Sequence, residues 1–325
     1  MVPKMRIVML GTGLFAEPTF EALLARGGVV GLFTQPDRDA GAERGSTRQT
    51  GRGMKAIAEA HGVPVFQPES INTPEGVAAL RSLAPDVIAV AAYGQILKPD
   101  VFTAAPHGCL NVHASLLPKY RGAAPINWAI YHGETRTGVT IFRIGKGVDT
   151  GEMLAQGAID IGPDETAGDV EARLAPLGAR LLCRVLDEIA AGTAKPIPQD
   201  ASLATKAPKL KKEDGLLDWS RTAAQVCCQV RAMHPWPTAY TFWHRPGQPP
   251  LRLIVHRVTA KTSEAPVSPG EVVPDRLDAL CVGAANNTLV EIHELQPAGK
   301  RRMSAAEFLR GRKPQRGDHL GSEKG

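Results

Sequence analysis

An asparagine and a histidine stand two residues apart in the short apolar run Cys109-Leu110-Asn111-Val112-His113. Alternate side chains of a strand face the same way, so both polar groups would project from one face. The chain then leaves through Ser115-Leu116-Leu117-Pro118 and a basic turn, Tyr120-Arg121-Gly122. Asp149 follows in Gly147-Val148-Asp149-Thr150-Gly151, where flexible glycines allow a carboxylate to approach the imidazole. An amide donor, an acid/base group and a carboxylate to orient it are what acyl transfer to a nitrogen requires. Each residue alone has a structural explanation, since histidines are commonly part-buried and aspartates common in turns. Their occurrence together, in this order, points to a site.

The elements that must hold these groups alternate. Met5 to Leu10 reads as a buried strand, Ala16 to Ala25 as a helix and Val29 to Thr34 as a second strand. Met54 to His61 is helical, Val63 to Phe66 extended, Glu75 to Leu83 helical, and Val87 to Ala92 and Leu110 to His113 are strands. Such alternation predicts an α/β fold: a Rossmann-like, open, mostly parallel sheet with both faces covered. Ligands bind such sheets beyond the carboxyl ends of the strands. Asn111, His113 and the loop Tyr93-Gly94-Gln95-Ile96-Leu97 all fall at that edge.

Thr166 to Ala190 has the pattern of a long amphipathic helix and closes a first domain, 1–190. Residues 191–208, with three prolines and little periodicity, read as a linker. Short strands with turns between them then predict a small OB-like β-barrel over 209–316, and the polar 317–325 reads as a flexible tail.

With 325 residues, 43% of them hydrophobic and 22% charged, the chain has the composition of a globular protein able to bury a sizeable core. No uncharged apolar run approaches the ~20 residues of a bilayer crossing, and no secretory signal is expected at the start. Five cysteines without CxxC spacing argue against a disulfide framework or a zinc site and fit a reducing cytoplasm. Buried packing explains Cys109 better than nucleophilic chemistry does. Charge is uneven: residues 1–201 carry 19 basic and 21 acidic side chains, a balance of −2, while 202–325 carry 19 and 12, a balance of +7. The C-terminal part therefore suits an acidic partner.

From RIVMLGTGLFAEPTFEALL through FTQPDR, Asn111-x-His113-x-Ser115-Leu-Leu-Pro118, GVDTGEML and TKAPKLKKEDGLLDW, the chain resembles the folate-dependent formyltransferases. It is most similar to the branch whose acceptor is methionyl-initiator-tRNA. No metal is expected, and a monomer in the cytoplasm is; the resemblance implies 10-formyltetrahydrofolate as formyl donor. It implies that Asn111, His113 and Asp149 are catalytic. It further implies that Ser115, Leu116, Leu117 and Pro118 line the folate pocket, with Tyr93 to Leu97 closing its apolar side. Three basic groups would meet the tRNA backbone: Arg38, Arg44, Arg48 and Arg52 in a glycine-rich loop; Lys206, Lys209, Lys211 and Lys212 at the interdomain join; and Lys300, Arg301 and Arg302. The first loop departs from the family, with Asp39 in place of a proline and extra residues around Ala42 and Glu43.

Other readings stay open at this level. Gly11-x-Gly13-x-x-Ala16 after a strand, with Asp37 beyond the next one, resembles a dinucleotide fingerprint and would suit a nicotinamide dehydrogenase. The glycines alone also suit any sharp strand-to-helix turn. The catalytic half would also serve an amino-sugar nucleotide or glycinamide ribonucleotide as acceptor, though the latter would hardly need residues 209 to 316. The barrel alone would make a noncatalytic RNA-binding module that leaves Asn111, His113 and Asp149 unexplained.

Overall fold

The computed structural model describes residues 5–37, 53–274 and 278–324. They form two compact units. The first comprises the chain up to residue 126 with 136–161 and 169–209; the second comprises 127–135, 162–168 and 210 onward.

In the first unit the strands are β1 (Ile7–Gly11), β2 (Val29–Phe33), β3 (Val65–Phe66), β4 (Val87–Ala91), β5 (Cys109–His113), β6 (Arg121–Gly122), β7 (Arg136–Arg143), β8 (Met153–Asp160) and β9 (Lys206–Ala207). Seven make one sheet in the order β3-β2-β1-β4-β5-β7-β8. The pairs from β3 to β5 are parallel, as the alternation of elements predicted. β7 and β8 add an antiparallel edge absent from that expectation. Val8, Leu10, Phe33, Ile88 and Val90 are buried and form the core against the covering helices. The helix Ala167–Ala190 approaches the back of β5 at Gly178, where a Cβ would stand 2.5 Å from Val112 Cγ1. Val112 thus packs inward, and its neighbours Asn111 and His113 take the opposite face.

The turn after β1 is steric in origin. Gly13 holds a positive φ of 76°, and a Cβ on Gly11 would lie 2.7 Å from Met9 Cε. Asp37, the acid of the dinucleotide reading, is ion-paired with Lys55 at 2.8 Å and hydrogen-bonded by Gln67. Those two hydrogen bonds hold its carboxyl below the usual carboxylate range.

The 191–208 stretch, expected as a linker, is fastened to the first unit. Ile197 exchanges main-chain hydrogen bonds with Met153, and β9 pairs in parallel with β6. It runs as a strap with a 3-10 turn at Ala201–Leu203, and Gln199 and Thr205 bond the residues beneath it.

The second unit holds β10 (Ala239–His244), β11 (Leu251–Thr262), β12 (Val272–Val273), β13 (Leu280–Ala284), β14 (Thr288–Pro297), β15 (Met303–Ser304) and β16 (His319–Gly321). Six run antiparallel in the order β12-β13-β14-β11-β10-β16, with β15 on β14. A bridge between Glu271 and His319 joins the two ends, giving the nearly closed barrel that the turn spacing predicted. The expected flexible tail is corrected here. β16 lies within 317–325, pairs with β10, and buries Leu320 together with the adjacent Asp318. One apolar residue and a run of main-chain hydrogen bonds suffice to seat it, although the surrounding sequence is polar.

Candidate active site

β5 ends at the carboxyl edge of the sheet, and its alternation places Asn111 and His113 on one face. The His113 ring is buried, 5% exposed, and stands edge-on to Phe142 at 6.2 Å. Its Nε2 lies 2.9 Å from the main-chain oxygen of Tyr120. A carbonyl only accepts, so Nε2 carries the hydrogen. In the neutral ring Nδ1 is then the lone-pair nitrogen, and it faces Asp149 Oδ2 at 3.7 Å.

Asp149 is oriented from two sides. Its carboxylate accepts a 2.7 Å hydrogen bond from the Gly122 amide. Its main chain, in the left-handed region at φ 51°, is held by Gln199, whose Nε2 donates to the oxygens of Asp149 and Gly151 at 2.9 and 2.8 Å. The carboxylate was expected to hold the imidazole; instead the Tyr120 carbonyl sets the ring, and the carboxylate stands 3.7 Å from Nδ1, beyond hydrogen-bond reach. The Asn111 carboxamide, half-buried, makes no hydrogen bond to any described residue and keeps its donors available.

Ser115 to Pro118 follow β5 and are fixed by hydrogen bonds. Ser115 Oγ donates to Lys119 O at 2.7 Å, while Thr140 Oγ1 donates to Ser115 O and accepts from Leu117 N. Gln156 adds a hydrogen bond to Leu117 O. Ser115 and Leu117 are buried, while Leu116 and Pro118 are partly open. The Tyr93 to Leu97 loop is pinned by Gln95, which accepts from Ile71 N and donates to Glu69 O, and by Asn72, which donates to Ile96 O. Tyr93 is buried with its hydroxyl unpartnered, and burial pushes its pKa up to about 12. Gly94 turns the loop at a positive φ. Ile96 is left 79% exposed, and Val148, next to Asp149, 59% exposed. These two large aliphatic side chains lie on the loops after β4 and β7. A cavity of about 340 Å³ lined by Phe33, Phe66, Gln67 and Thr73 lies on the β2–β3 side and holds none of these polar groups.

Cys109 is buried, and burial pushes its thiol up, away from nucleophilic use. No group of three or more His, Cys, Asp or Glu among the described residues is arranged to hold a metal ion. Of the basic residues, Arg38, Arg44, Arg48 and Arg52 lie outside the described residues. Lys206, Lys209, Lys211, Lys212 and Lys300 are exposed. Arg301 pairs with Glu307, and Arg302 with Glu294, whose carboxyl is held below the usual range by hydrogen bonds from Arg257 and Arg302. Sequence reasoning marked the Tyr120-Arg121-Gly122 turn only as basic and missed Gln199, because these residues act through main-chain atoms or on them and residue type carries little signal for that.

Comparison with known proteins places the chain. The formyl transferase family matches residues 5–186, and the formyl transferase C-terminal domain matches 209–313. A methionyl-tRNA formyltransferase of Geobacter sulfurreducens is 45% identical over 98% of this chain and 97% of its own, and one of Bacillus velezensis is 40% identical over 97% and 98%. The chain belongs to the methionyl-tRNA formyltransferase family. Solved structures more distant than those members of the methionyl-tRNA formyltransferases share the fold. HypX from Aquifex aeolicus in complex with tetrahydrofolic acid aligns with a TM-score of 0.60 at 19% identity, over 94% of this chain and 47% of that one. An N-formyltransferase from Helicobacter canadensis, in complex with folinic acid and dTDP-3-aminofucose, gives 0.65 at 16% identity, over 89% and 98%. Among the described residues, no helix is long and apolar enough to cross a membrane.

Proposed function

We propose that this member of the family transfers the formyl group of 10-formyltetrahydrofolate to the α-amino group of methionyl-initiator-tRNA, acting as a cytoplasmic monomer. The folate supplies a formyl group activated on nitrogen; the remaining chemistry falls to the chain. Asn111 donates its amide hydrogen to the formyl oxygen as that atom gains charge, an interaction worth roughly 3 kcal/mol when the donor is pre-oriented. His113 Nδ1 takes the proton that the amine sheds as its bond to the formyl carbon forms. The ring then bears a positive charge 3.7 Å from the Asp149 carboxylate, which stabilises it. When the adduct collapses the carbon–N10 bond breaks and a proton returns to N10, releasing tetrahydrofolate. Leu116, Pro118, Ile96 and Val148 supply apolar walls that orient the donor and keep water from competing with the amine.

The observation that carries this reading is the pairing of His113 Nε2 with the Tyr120 carbonyl. It leaves one ring nitrogen for proton transfer and aims it at the carboxylate. The 45% identity to a methionyl-tRNA formyltransferase over nearly the whole length supports the acceptor. Exposed lysines at 206, 209, 211, 212 and 300 supply cations that can reach phosphate, with Arg301 and Arg302 exchanging their surface acids for it. The arginines at 38, 44, 48 and 52 complete the proposed tRNA set.

The test is incubation with 10-formyltetrahydrofolate and methionyl-tRNA, reading formyl on the amino acid. Wild-type protein is expected to turn over. Asn111→Ala and His113→Ala are each expected to lose at least about a hundredfold in kcat while keeping the thermal midpoint. Undiminished turnover in either variant removes that residue's role. Formyl appearing on a nucleotide-linked amino sugar and none on methionyl-tRNA would replace the acceptor.

A further inference from the structure

Residues 187–208 fall between the two stretches that match the family, so no domain description assigns them a task. The strap nevertheless reaches the site. Gln199 makes four contacts with one carboxamide: Nε2 donates to the main-chain oxygens of Asp149 and Gly151, and Oε1 accepts from Arg121 Nε and Nη2 at 3.2 and 2.7 Å. Both amide hydrogens and the carbonyl oxygen are committed.

These contacts close a ring. Arg121 precedes Gly122, whose amide holds the Asp149 carboxylate. Both ends of Asp149 are thereby anchored to consecutive residues of one turn, the carboxylate directly and the backbone through Gln199. Thr205 continues the same device: its hydroxyl accepts from Tyr120 N and its carbonyl from Arg121 N, both at 2.8 Å. Tyr120 is the residue whose carbonyl sets the tautomer of His113.

We infer that Gln199 is a positioning residue for formyl transfer: it holds the strained Asp149 turn so that the carboxylate faces His113 Nδ1. This rests on the formyl-transfer reading of Asp149. Only a carboxamide of this length serves. Glutamate keeps the two acceptor contacts to Arg121 but cannot donate, and would set negative charge against two carbonyl oxygens. Gln199 is half-buried on the surface of its unit, so the fold does not depend on its packing.

A kinetic cycle on the full-length enzyme tests this. Gln199→Leu, nearly isosteric and unable to make any of the four contacts, is expected to lower kcat about tenfold to a hundredfold, the scale of a misplaced catalytic group. KM for methionyl-tRNA and for the folate donor should stay within about threefold and the thermal midpoint within a few degrees. Gln199→Glu should fall nearly as far, and it serves as the test if the leucine variant does not fold. In an Asp149→Ala background Gln199→Leu should add less than about twofold, because the group it positions is gone. A full multiplicative loss in that background, or wild-type kcat in both Gln199 variants, overturns the inference. Undiminished turnover by Asp149→Ala alone would instead remove the reading beneath it, so the two failures separate within one cycle.

Discussion

Two aspartates flanked by glycines look alike in this sequence: Asp149 in Gly147-Val-Asp-Thr-Gly151 and Asp318 in Gly317-Asp-His-Leu-Gly321. Their surroundings differ. The Asp318 side chain is fully buried; Oδ2 accepts from Gln315 N at 2.9 Å and faces Arg245 Nε at 3.4 Å, while its main-chain oxygen accepts from Val272 N. Protein encloses that carboxylate, although Oδ1 has no hydrogen-bond partner, and the contacts of its other atoms help close a barrel. Around Asp149 the anchoring is as thorough, yet the network ends at a histidine nitrogen holding a lone pair and beside an amide with free donors. A carboxylate enclosed with a buried cation belongs to the fold, and one held in place beside a histidine lone pair is the better candidate for chemistry.

Substituting each aspartate should separate the two roles most widely. Asp149→Ala is expected to lower kcat by about a hundredfold or more, with a thermal midpoint close to wild type, since only a turn is loosened. Asp318→Ala should leave kcat per folded molecule unchanged and lower unfolding free energy by about 2–3 kcal/mol, because Arg245 loses its buried partner. Denaturant unfolding and single-turnover kinetics on both proteins read these effects. Loss of kcat in fully folded Asp318→Ala would break the contrast.

The bracketing glycines sharpen it. A Cβ on Gly151 would fall 1.7 Å from the main-chain oxygen of Arg143, an atom that cannot move without shifting the end of β7. Gly151→Ala is therefore expected to displace the Asp149 turn and to reduce kcat by at least about tenfold. Gly317 has a positive φ of 93° but nothing within 4 Å of where a Cβ would sit. Gly317→Ala should lose only about 1–2 kcal/mol of stability through backbone strain, with no change in kcat.

Why one aspartate was legible and the other was not follows from what surrounds them in the chain. Asn111 and His113 stood out because they interrupt an apolar strand at alternate positions, and Asp149 because a glycine turn follows them at a distance a loop can fold back. The parallel order of β1 to β5 followed from regular alternation of elements. β7 was missed because Arg136–Arg143 is buried almost throughout and shows no period of two. Asp318 sits in a stretch where Leu320 is the only large apolar residue, so β16 announces itself solely through pairing with a strand some 75 residues earlier. Gln199 was invisible for another reason. It binds backbone oxygens, which every residue carries, from a segment whose prolines suggest freedom.

The smallest effect expected tests the open side of the Asp149 site. Ile96 and Leu203 are both largely exposed aliphatic side chains, at 79% and 59%. Exposure alone does not tell them apart. Ile96 sits on the loop after β4, with its main chain fixed by Asn72 and its neighbour Gln95 pinned to Ile71 and Glu69. A rigid backbone presenting a large apolar side chain to solvent gains free energy when a ligand covers it, about 1.5–3 kcal/mol for full burial of such a residue. Ile96→Ser is therefore expected to raise KM for the folate donor by roughly tenfold and to leave kcat near wild type, since ground state and transition state share that contact. Leu203→Ser, on the strap, should change neither parameter by more than about twofold. Equal effects from the two substitutions would mean that the loop after β4 is not a wall of the donor site.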